Sequence, residues 1–495
     1  MGRRIFLAGI LFLLSLTSAL IFIGKKEAGL PAVIPAPDEG IPFLFFEGSG
    51  DAFGAMRHPF LADEKKTGSL GRSLDRLLPL LKGAEEVAAL FSARLGRVDF
   101  DGVARFRDKD SGGWREAPQW AELQPAPGET EGPVPGLFKL EGPAPLFPLY
   151  FAKAKDLIMI GSSPEKVSLM VEALEKGEGG MAIPWELERK WPNHFYLYDG
   201  GIVSRFLSKF WPKVRPGGLS LTGAWRLSDS GGRLRWSAEG GEELFPDYLP
   251  GGLEPVGWEG DYLALEPFIA SFGINLPHLP APFIEEEGLN RYGIGEILGL
   301  RGRDLEDISG GPLTASLSGR GKLLIFPLPG VLLQLSGRGA AGEAFARSFW
   351  RKDWTSLVPG VEKIKGFPAG GVAAIPFSIL CAANYRMLRL GIVDGDVFRQ
   401  KNSQTIADMV PLLKETGRSL FWAYVDGPAL GRTITSLLEI DAIAGKIGRG
   451  LGINKKTASR VSEELEKMGA LTVVIPSLGE GVLQWETADN AARGE

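Results

Sequence analysis

The chain has almost no cysteine and almost no histidine. Its 495 residues include one cysteine, Cys381, and three histidines, His58, His194 and His278. One thiol excludes an internal disulfide framework. Cys381 stands in the apolar run Ile375-Pro-Phe-Ser-Ile-Leu-Cys-Ala-Ala, which predicts a buried, inert thiol. The histidines are scattered and no Cys/His pair has ligand spacing, so no metal site is expected. A basic block is missing too: the net charge is −5, with 23% of residues charged. This argues against nucleic acid as the main partner. After Gly24 there is no second long hydrophobic run. Glycine (67) and proline (35) are plentiful, which favours turns and short strands over a helical bundle.

The chain opens with Arg3-Arg4 and a run that stays apolar or small over residues 5–24, closed by Lys25-Lys26. A short basic region before an apolar segment is the pattern of an export signal. Roughly 20 such residues also suffice to span a bilayer as a helix. Thr17-Ser18-Ala19 could serve as a cleavage site, but Leu20-Ile-Phe-Ile continues the apolar run past it. Residues 1–27 are therefore expected to form an uncleaved transmembrane anchor, with a cleaved signal peptide as the alternative. No cysteine follows for lipidation, and Gly2 lacks the Ser/Thr of a myristoylation motif. Arg3 and Arg4 nearly balance Lys25 and Lys26 under the positive-inside rule. A single span leaves the rest of the chain on one side, placed here outside the cytoplasm, beyond an inner membrane. Residues 28–40, with Pro31, Pro35 and Pro37, read as a stiff linker.

The remainder repeats itself. Asp156-Leu-Ile-Met-Ile-Gly-Ser-Ser-Pro-Glu-Lys-Val leads into an apolar helix pattern, a loop, and Phe195-Tyr-Leu-Tyr-Asp-Gly200. Residues 395–413 and Trp422-Ala-Tyr-Val-Asp-Gly427 follow the same plan. Val167, Met170, Val171 and Leu174 align with Ile406, Met409, Val410 and Leu413, one face of a helix in each case. A repeat of this length implies duplicated architecture. Two halves are expected, 41–241 and 252–487. Helical spacing is read over 69–81, 85–95, 263–272 and 339–350. Strands are read over 98–106, 146–151, 157–160, 331–336, 371–378 and 385–390. Hairpins are read at 219–239 and 471–486, with Trp236 and Trp485 in matching places. The resulting expectation is an α+β fold: two tandem homologous halves with largely antiparallel sheets and packed helices, preceded by one transmembrane helix.

Asp304-Leu-Glu-Asp-Ile-Ser-Gly-Gly-Pro-Leu-Thr-Ala, Pro329-Gly-Val-Leu-Leu-Gln-Leu and the Ser-Ser-Pro-Glu helix start at 162–165 carry a resemblance. The chain resembles an uncharacterised group of bacterial envelope proteins with an N-terminal signal or anchor and a duplicated α+β region. The resemblance covers most of 40–487 in outline. It implies fold and location, and no activity.

Several residues invite a chemical reading. Ser163-Pro-Glu-Lys166 matches the Ser-x-x-Lys of penicillin-binding enzymes, and Lys66-Thr-Gly68 their Lys-Thr-Gly. The order is reversed, however, and Asp229 between Ser228 and Ser230 lacks the Asn of the third motif. The competing reading is a helix N-terminus capped by Ser163, or by Ser162 with Glu165. Asp199 and Asp426, each before a glycine, could be paired acids or could close turns. Glu285-Glu-Glu287 reads as a solvated loop. Residues 451–469, with Lys455, Lys456 and Arg460, look like a recognition helix before a hairpin wing. In the first half no such pattern occupies that place. The glycine-rich 448–452 lacks the Lys placement of a phosphate loop. Trp185, Trp191, Trp211, Trp350 and Trp354 are either core or exposed binding aromatics.

The sequence assigns no catalytic, cofactor-binding or metal residue. It leads to a membrane-anchored extracytoplasmic protein that binds a partner or polymer of the envelope, or scaffolds it, with no cofactor. Its alternatives are an envelope-polymer hydrolase and a membrane-tethered regulator using residues 451–469.

Overall fold

The computed structural model describes residues 33–35, 37, 41–49, 68–94, 97–107, 124–125, 137–142, 146–154, 156–176, 193–208, 217–228, 231–240, 254–258, 262–276, 278, 281–285, 301–323, 326–351, 360–373, 378–394, 404–439, 459, 461–463, 465–466, 468–477 and 479–487. The chain divides into two compact units, Gly2–Tyr248 and Leu249–Glu495.

Among its described residues the first unit has nine principal strands: β1 (Phe43–Gly48), β2 (Glu86–Arg94), β3 (Arg97–Arg105), β4 (Phe138–Leu140), β5 (Leu149–Ala154), β6 (Leu157–Gly161), β7 (Asn193–Tyr198), β8 (Ser220–Ser228) and β9 (Gly231–Glu239). Helix α1 (Gly68–Leu81) follows β1, α2 (Pro164–Lys176) follows β6, and α3 (Ile202–Ser208) follows β7. Hydrogen-bonded neighbours run β4-β5-β6-β3-β2-β1-β7-β8-β9, and every pair is antiparallel. Helix α2 thus carries the chain from β6 past three strands to β7.

The second unit has β10 (Phe268–Leu276), β11 (Gly311–Leu323), β12 (Phe326–Ser336), β13 (Ala369–Ala373), β14 (Ile379–Ala383), β15 (Met387–Ile392), β16 (Phe421–Asp426), β17 (Met468–Ser477) and β18 (Glu480–Thr487). Its order is β13-β14-β15-β12-β11-β10-β16-β17-β18, again antiparallel throughout. Each of these strands occupies the place of the strand nine lower in the first unit. The helices are α4 (Gly302–Glu306), α5 (Gly339–Phe349), α6 (Ile406–Met409), α7 (Pro411–Thr416) and α8 (Gly427–Glu439). Here α6 and α7 together make the crossover, from β15 to β16.

In the first unit the crossover face of the sheet packs Phe45, Leu90, Val103 and Met159 with Val167 and Met170 of α2. Val33 and Ile34, expected in a linker, are buried in that same core. In the second unit Trp422, Val474, Val482 and Met387 pack with Ile406, Val410, Leu412 and Leu413. A strap at 258–264 joins them through Trp258, Tyr262 and Ala264. The opposite face receives α5, where Phe345, Ala346 and Phe349 cover Leu335, Cys381, Ala383 and Leu388.

These observations correct the expected fold class. Among the described residues the fold is strand-dominated, 50% strand against 26% helix, rather than α+β with packed helices. Helices α2, α5 and the α6–α7 pair lie on sheet faces. Among the described residues no helix is long and apolar enough to cross a membrane, and residues 1–27, where a transmembrane helix was expected, lie outside them. Two stretches read as helices are strands. Glu86-Val-Ala-Ala-Leu-Phe-Ser-Ala-Arg94 has helical spacing, yet its side chains are buried on both faces of the sheet, a case periodicity cannot separate from a helix. Phe268-Ile-Ala-Ser-Phe-Gly-Ile is β10, where Gly273 suits a close cross-strand approach better than a helix interior. Strand β14, which carries Cys381, is absent from the expected strands, and it places that thiol, buried, on the strand next to the end of the sheet.

The repeat also needs correcting. The counterpart of β6 is β15, not residues 395–398, which lie outside the described residues. The helix aligned with α2 is broken at Val410, because Pro411 lacks an N–H and disfavours helical backbone in the residue before it. Aligning Asp199 with Asp426 pairs Tyr196 with Ala423. Yet Tyr196 and Tyr424 are the residues that face the crossover helices. A one-residue offset reverses the two faces of a strand.

Candidate functional site

The chemistry-bearing residues of the first unit converge at the start of α2. Strand β3 alternates Asp99, Asp101 and Val103 toward the crossover face, and register places Asp101 beside the end of β6. The Asp101 side chain is 1% exposed. Its Oδ1 accepts from the Ser162 amide at 3.2 Å and from the Ser162 hydroxyl at 3.1 Å. Its Oδ2 is paired with the Lys166 ammonium, one turn into the helix. Ser163 precedes Pro164, the first helical residue, and its hydroxyl accepts from the Lys166 amide at 3.4 Å. Hydrogen bonding from Ser163 also holds the Glu165 carboxyl below its usual range. The Ser-x-x-Lys motif is therefore taken apart by its surroundings. The lysine ammonium pairs with a buried carboxylate on another strand, while the serine caps the helix. Lys66 and Thr67 lie outside the described residues.

On β12, the counterpart of β3, a polar side chain fully buried on the crossover face is Gln334, two residues along from the register of Asp101, which Leu332 occupies. Its Oε1 accepts from the Leu263 amide and its Nε2 donates to the Leu263 carbonyl, both at 2.9 Å. Leu263 pairs with Thr405, and the Tyr262 carbonyl accepts from the Ile406 amide at 2.9 Å. Gln334 thus fastens the strap on which α6 sits. Thr405 caps α6 in a box with Asp408, whose second oxygen takes the Lys414 ammonium at 2.7 Å. That lysine bond, ahead of the Thr405 bonds, pushes the Asp408 carboxyl well below its usual range. Residues 402–403, aligned with the Ser-Ser start of α2, lie outside the described residues.

The Asp-Gly pairs serve the backbone. Asp199 Oδ1 accepts from the amides of Gly201 at 2.8 Å and Leu219 at 2.6 Å. Asp426 Oδ1 caps α8 through the Ala429 amide at 2.8 Å. The structure does not bring the two carboxylates into one described cluster. Glu285 accepts from the Gly302 amide at 2.6 Å, so it tethers the start of α4. Trp350 is core: it stacks edge-on against Phe349, and its indole donates to the Cys381 carbonyl at 2.7 Å. Burial pushes the Cys381 thiol well above its usual range. Trp185, Trp191, Trp211 and Trp354 lie outside the described residues, as do 448–452, Lys455, Lys456 and Arg460. The hairpin read as a wing is β17–β18, and β17 is bonded on both sides, to β16 and β18. Among the described residues no group of histidine, cysteine and carboxylate side chains could hold a metal ion.

Sequence reasoning missed Asp101 and Gln334. Asp101 left a signal: two aspartates alternating with apolar residues in a strand demand a buried partner. Gln334 left none, because its partner is the backbone of a segment distant in sequence.

No family model matches the chain, and no curated protein matches it. Among solved structures, crystal form III of TP0453 is similar over 43% of this chain and 80% of its own, at 11% identity and a TM-score of 0.26.

Proposed function

We propose that this is a membrane-anchored, extracytoplasmic protein that binds an envelope partner or scaffolds the envelope without catalysis. One observation carries the reading. Among the described residues, the side chains that the sequence marks for chemistry are held in structural bonds: Lys166 with Asp101, Ser163 at a helix start, Asp199 and Asp426 on backbone amides. A nucleophile needs a base within reach and a carboxylate pair needs a shared substrate, and these residues have neither arrangement. The location rests on the sequence, on Arg3-Arg4 followed by the apolar run 5–24. A reporter that is active only outside the cytoplasm, fused after Glu495, tests it. Activity is expected, with a cytoplasmic reporter silent at the same position. The reverse pattern overturns the reading.

A further inference from the structure

The turn between β14 and β15 reads Asn384-Tyr-Arg-Met387. Asn384 builds it. Its Oδ1 accepts from the amides of Arg386 at 2.9 Å and Met387 at 2.8 Å, as asparagine does at the first position of a turn. Its Nδ2 donates to the Gly366 carbonyl at 3.1 Å, which ties the turn to the segment before β13. The Asn384 amide donates to the Met387 carbonyl at 3.0 Å, and the Gly337 amide donates to the Arg386 carbonyl at 2.9 Å. The backbone of the turn is fixed, and none of these bonds uses the Tyr385 or Arg386 side chain.

Both of those side chains face solvent. Tyr385 is 75% exposed, the most of any large hydrophobic side chain among the described residues. Across the Gly366 contact, Glu362 exchanges backbone hydrogen bonds with Val372 of β13 at 2.8 and 2.9 Å. Ile364 and Phe367 turn inward onto the core that holds Leu332, Val372 and Leu380. Lys363 and Lys365, on either side of Ile364, are exposed, and so is Val361. Lys363, Lys365 and Arg386 therefore stand near an exposed aromatic ring. Glu362 is the one acid in 361–367 and 384–387. Among the described residues no carboxylate pairs with the three cations. The chain as a whole carries a net charge of −5, so this positive charge is a local concentration.

A rigid turn that holds a tyrosine out in solvent, with unpaired cations near it, suits the interface of an anionic bilayer. Tyrosine settles at headgroup level, its ring toward the acyl chains and its hydroxyl in water. Each Lys or Arg near an anionic surface strengthens attachment about fivefold. A protruding turn meets a broad, yielding surface directly, whereas a peptide ligand needs a groove or a free sheet edge.

We propose that the Tyr385 turn, with Lys363, Lys365 and Arg386, docks the second unit on a membrane surface rich in anionic phospholipid. This adds a lipid contact to the reading above. The reporter fusion reads the side of the membrane and the experiment below reads docking, so either can fail without the other.

An environment-sensitive fluorophore on Ala340→Cys tests the proposal in the full chain. Ala340 is exposed and follows Gly339, against which the Tyr385 ring lies. Cys381 is buried, so the label has one site. Vesicles of phosphatidylcholine alone are compared with vesicles that also contain phosphatidylglycerol. The apolar run 5–24 can enter both, so the difference between them reports the turn. The emission is expected to shift to the blue with the anionic vesicles only, and to return in high salt. Lys363→Gln with Lys365→Gln should lower the docked-to-free ratio about 25-fold. Tyr385→Ser should lower it about fivefold. Both variants should keep the wild-type Tm, because the replaced side chains lie in solvent. An equal response to the two vesicle types, no response to either, or a full response in either variant overturns the proposal. A response to soluble polyglutamate with none to vesicles also overturns it, and assigns the turn to an acidic protein segment.

Discussion

Asp101 and Gln334 lie on equivalent strands of the two units, two residues apart in register. Each lies on the third strand of a nine-strand sheet, fully buried, facing the crossover between the sixth and seventh strands. Asp101 grips the crossover helix directly, through the charge of Lys166. Gln334 grips a strap by copying the hydrogen-bond pattern of a neighbouring peptide, and the strap carries the helix. The difference follows from the helices. Helix α2 is a continuous 13-residue cylinder that can present a lysine one turn in. Helices α6 and α7, interrupted by Pro411, offer no such turn and need an extra layer beneath them. Topology is conserved between the units while the fastening is not. The sheet order therefore depends on the pattern of strands more than on any one polar contact.

The largest expected effect breaks the ionic fastening. Lys166→Met leaves Asp101 buried with only Ser162 to answer it, and should cost about 3–5 kcal/mol in chemical denaturation. The double variant Asp101→Leu with Lys166→Met removes both charges and should recover most of that loss. A double variant as unstable as the single one would show that the pair is not the fastening. Gln334→Leu should cost less, about 1–3 kcal/mol, because it leaves neutral Leu263 groups unpaired.

A second contrast concerns aromatic rings laid over strand glycines. Phe195 on β7 lies over Gly223 on β8, while Trp422 on β16 lies over Gly273 on β10. The rings use different neighbours and opposite faces, the second facing the crossover and the first turned away from it. A Cβ at either glycine would overlap the ring. Gly223→Ala and Gly273→Ala should each cost about 1–3 kcal/mol. Near-neutral behaviour of either one in a urea titration would mean that its ring can move aside.

The smallest effect belongs to pH. Burial, then the charges of Asp426 and Glu486, push the Tyr424 hydroxyl up to about 12. The unfolded chain releases that proton near pH 10, the ordinary value, while the folded chain still holds it. The folded state then binds more protons, so stability is complete below pH 10 and declines as pH rises toward 12. Tyr424→Phe should flatten that decline. The first unit has Tyr196 at the corresponding place, and Tyr196→Phe serves as the comparison.

Much of the fold was legible in the sequence, for local reasons. The hairpins β8–β9 and β17–β18 carried turn residues between alternating runs, and α5 carried unambiguous helical spacing. The duplication was legible as well, but its register was not. The Asp-Gly pairs that anchored the alignment serve different bonds, a turn in one unit and a helix cap in the other. Composition could not decide β2, whose two faces are both covered. At the candidate sites, Ser163 could be read as a cap from Pro164 after it. The destination of the Lys166 ammonium could not, because it depends on β3 pairing with β6.

Cys381 has a use that its inertness makes possible. The chain has one thiol, and it lies in the sheet of the second unit, beneath α5. A thiol reagent in solution can therefore react only when that sheet opens. The rate of labelling becomes a clock for opening of the second unit alone, and the first unit, with no thiol, stays silent in the same experiment.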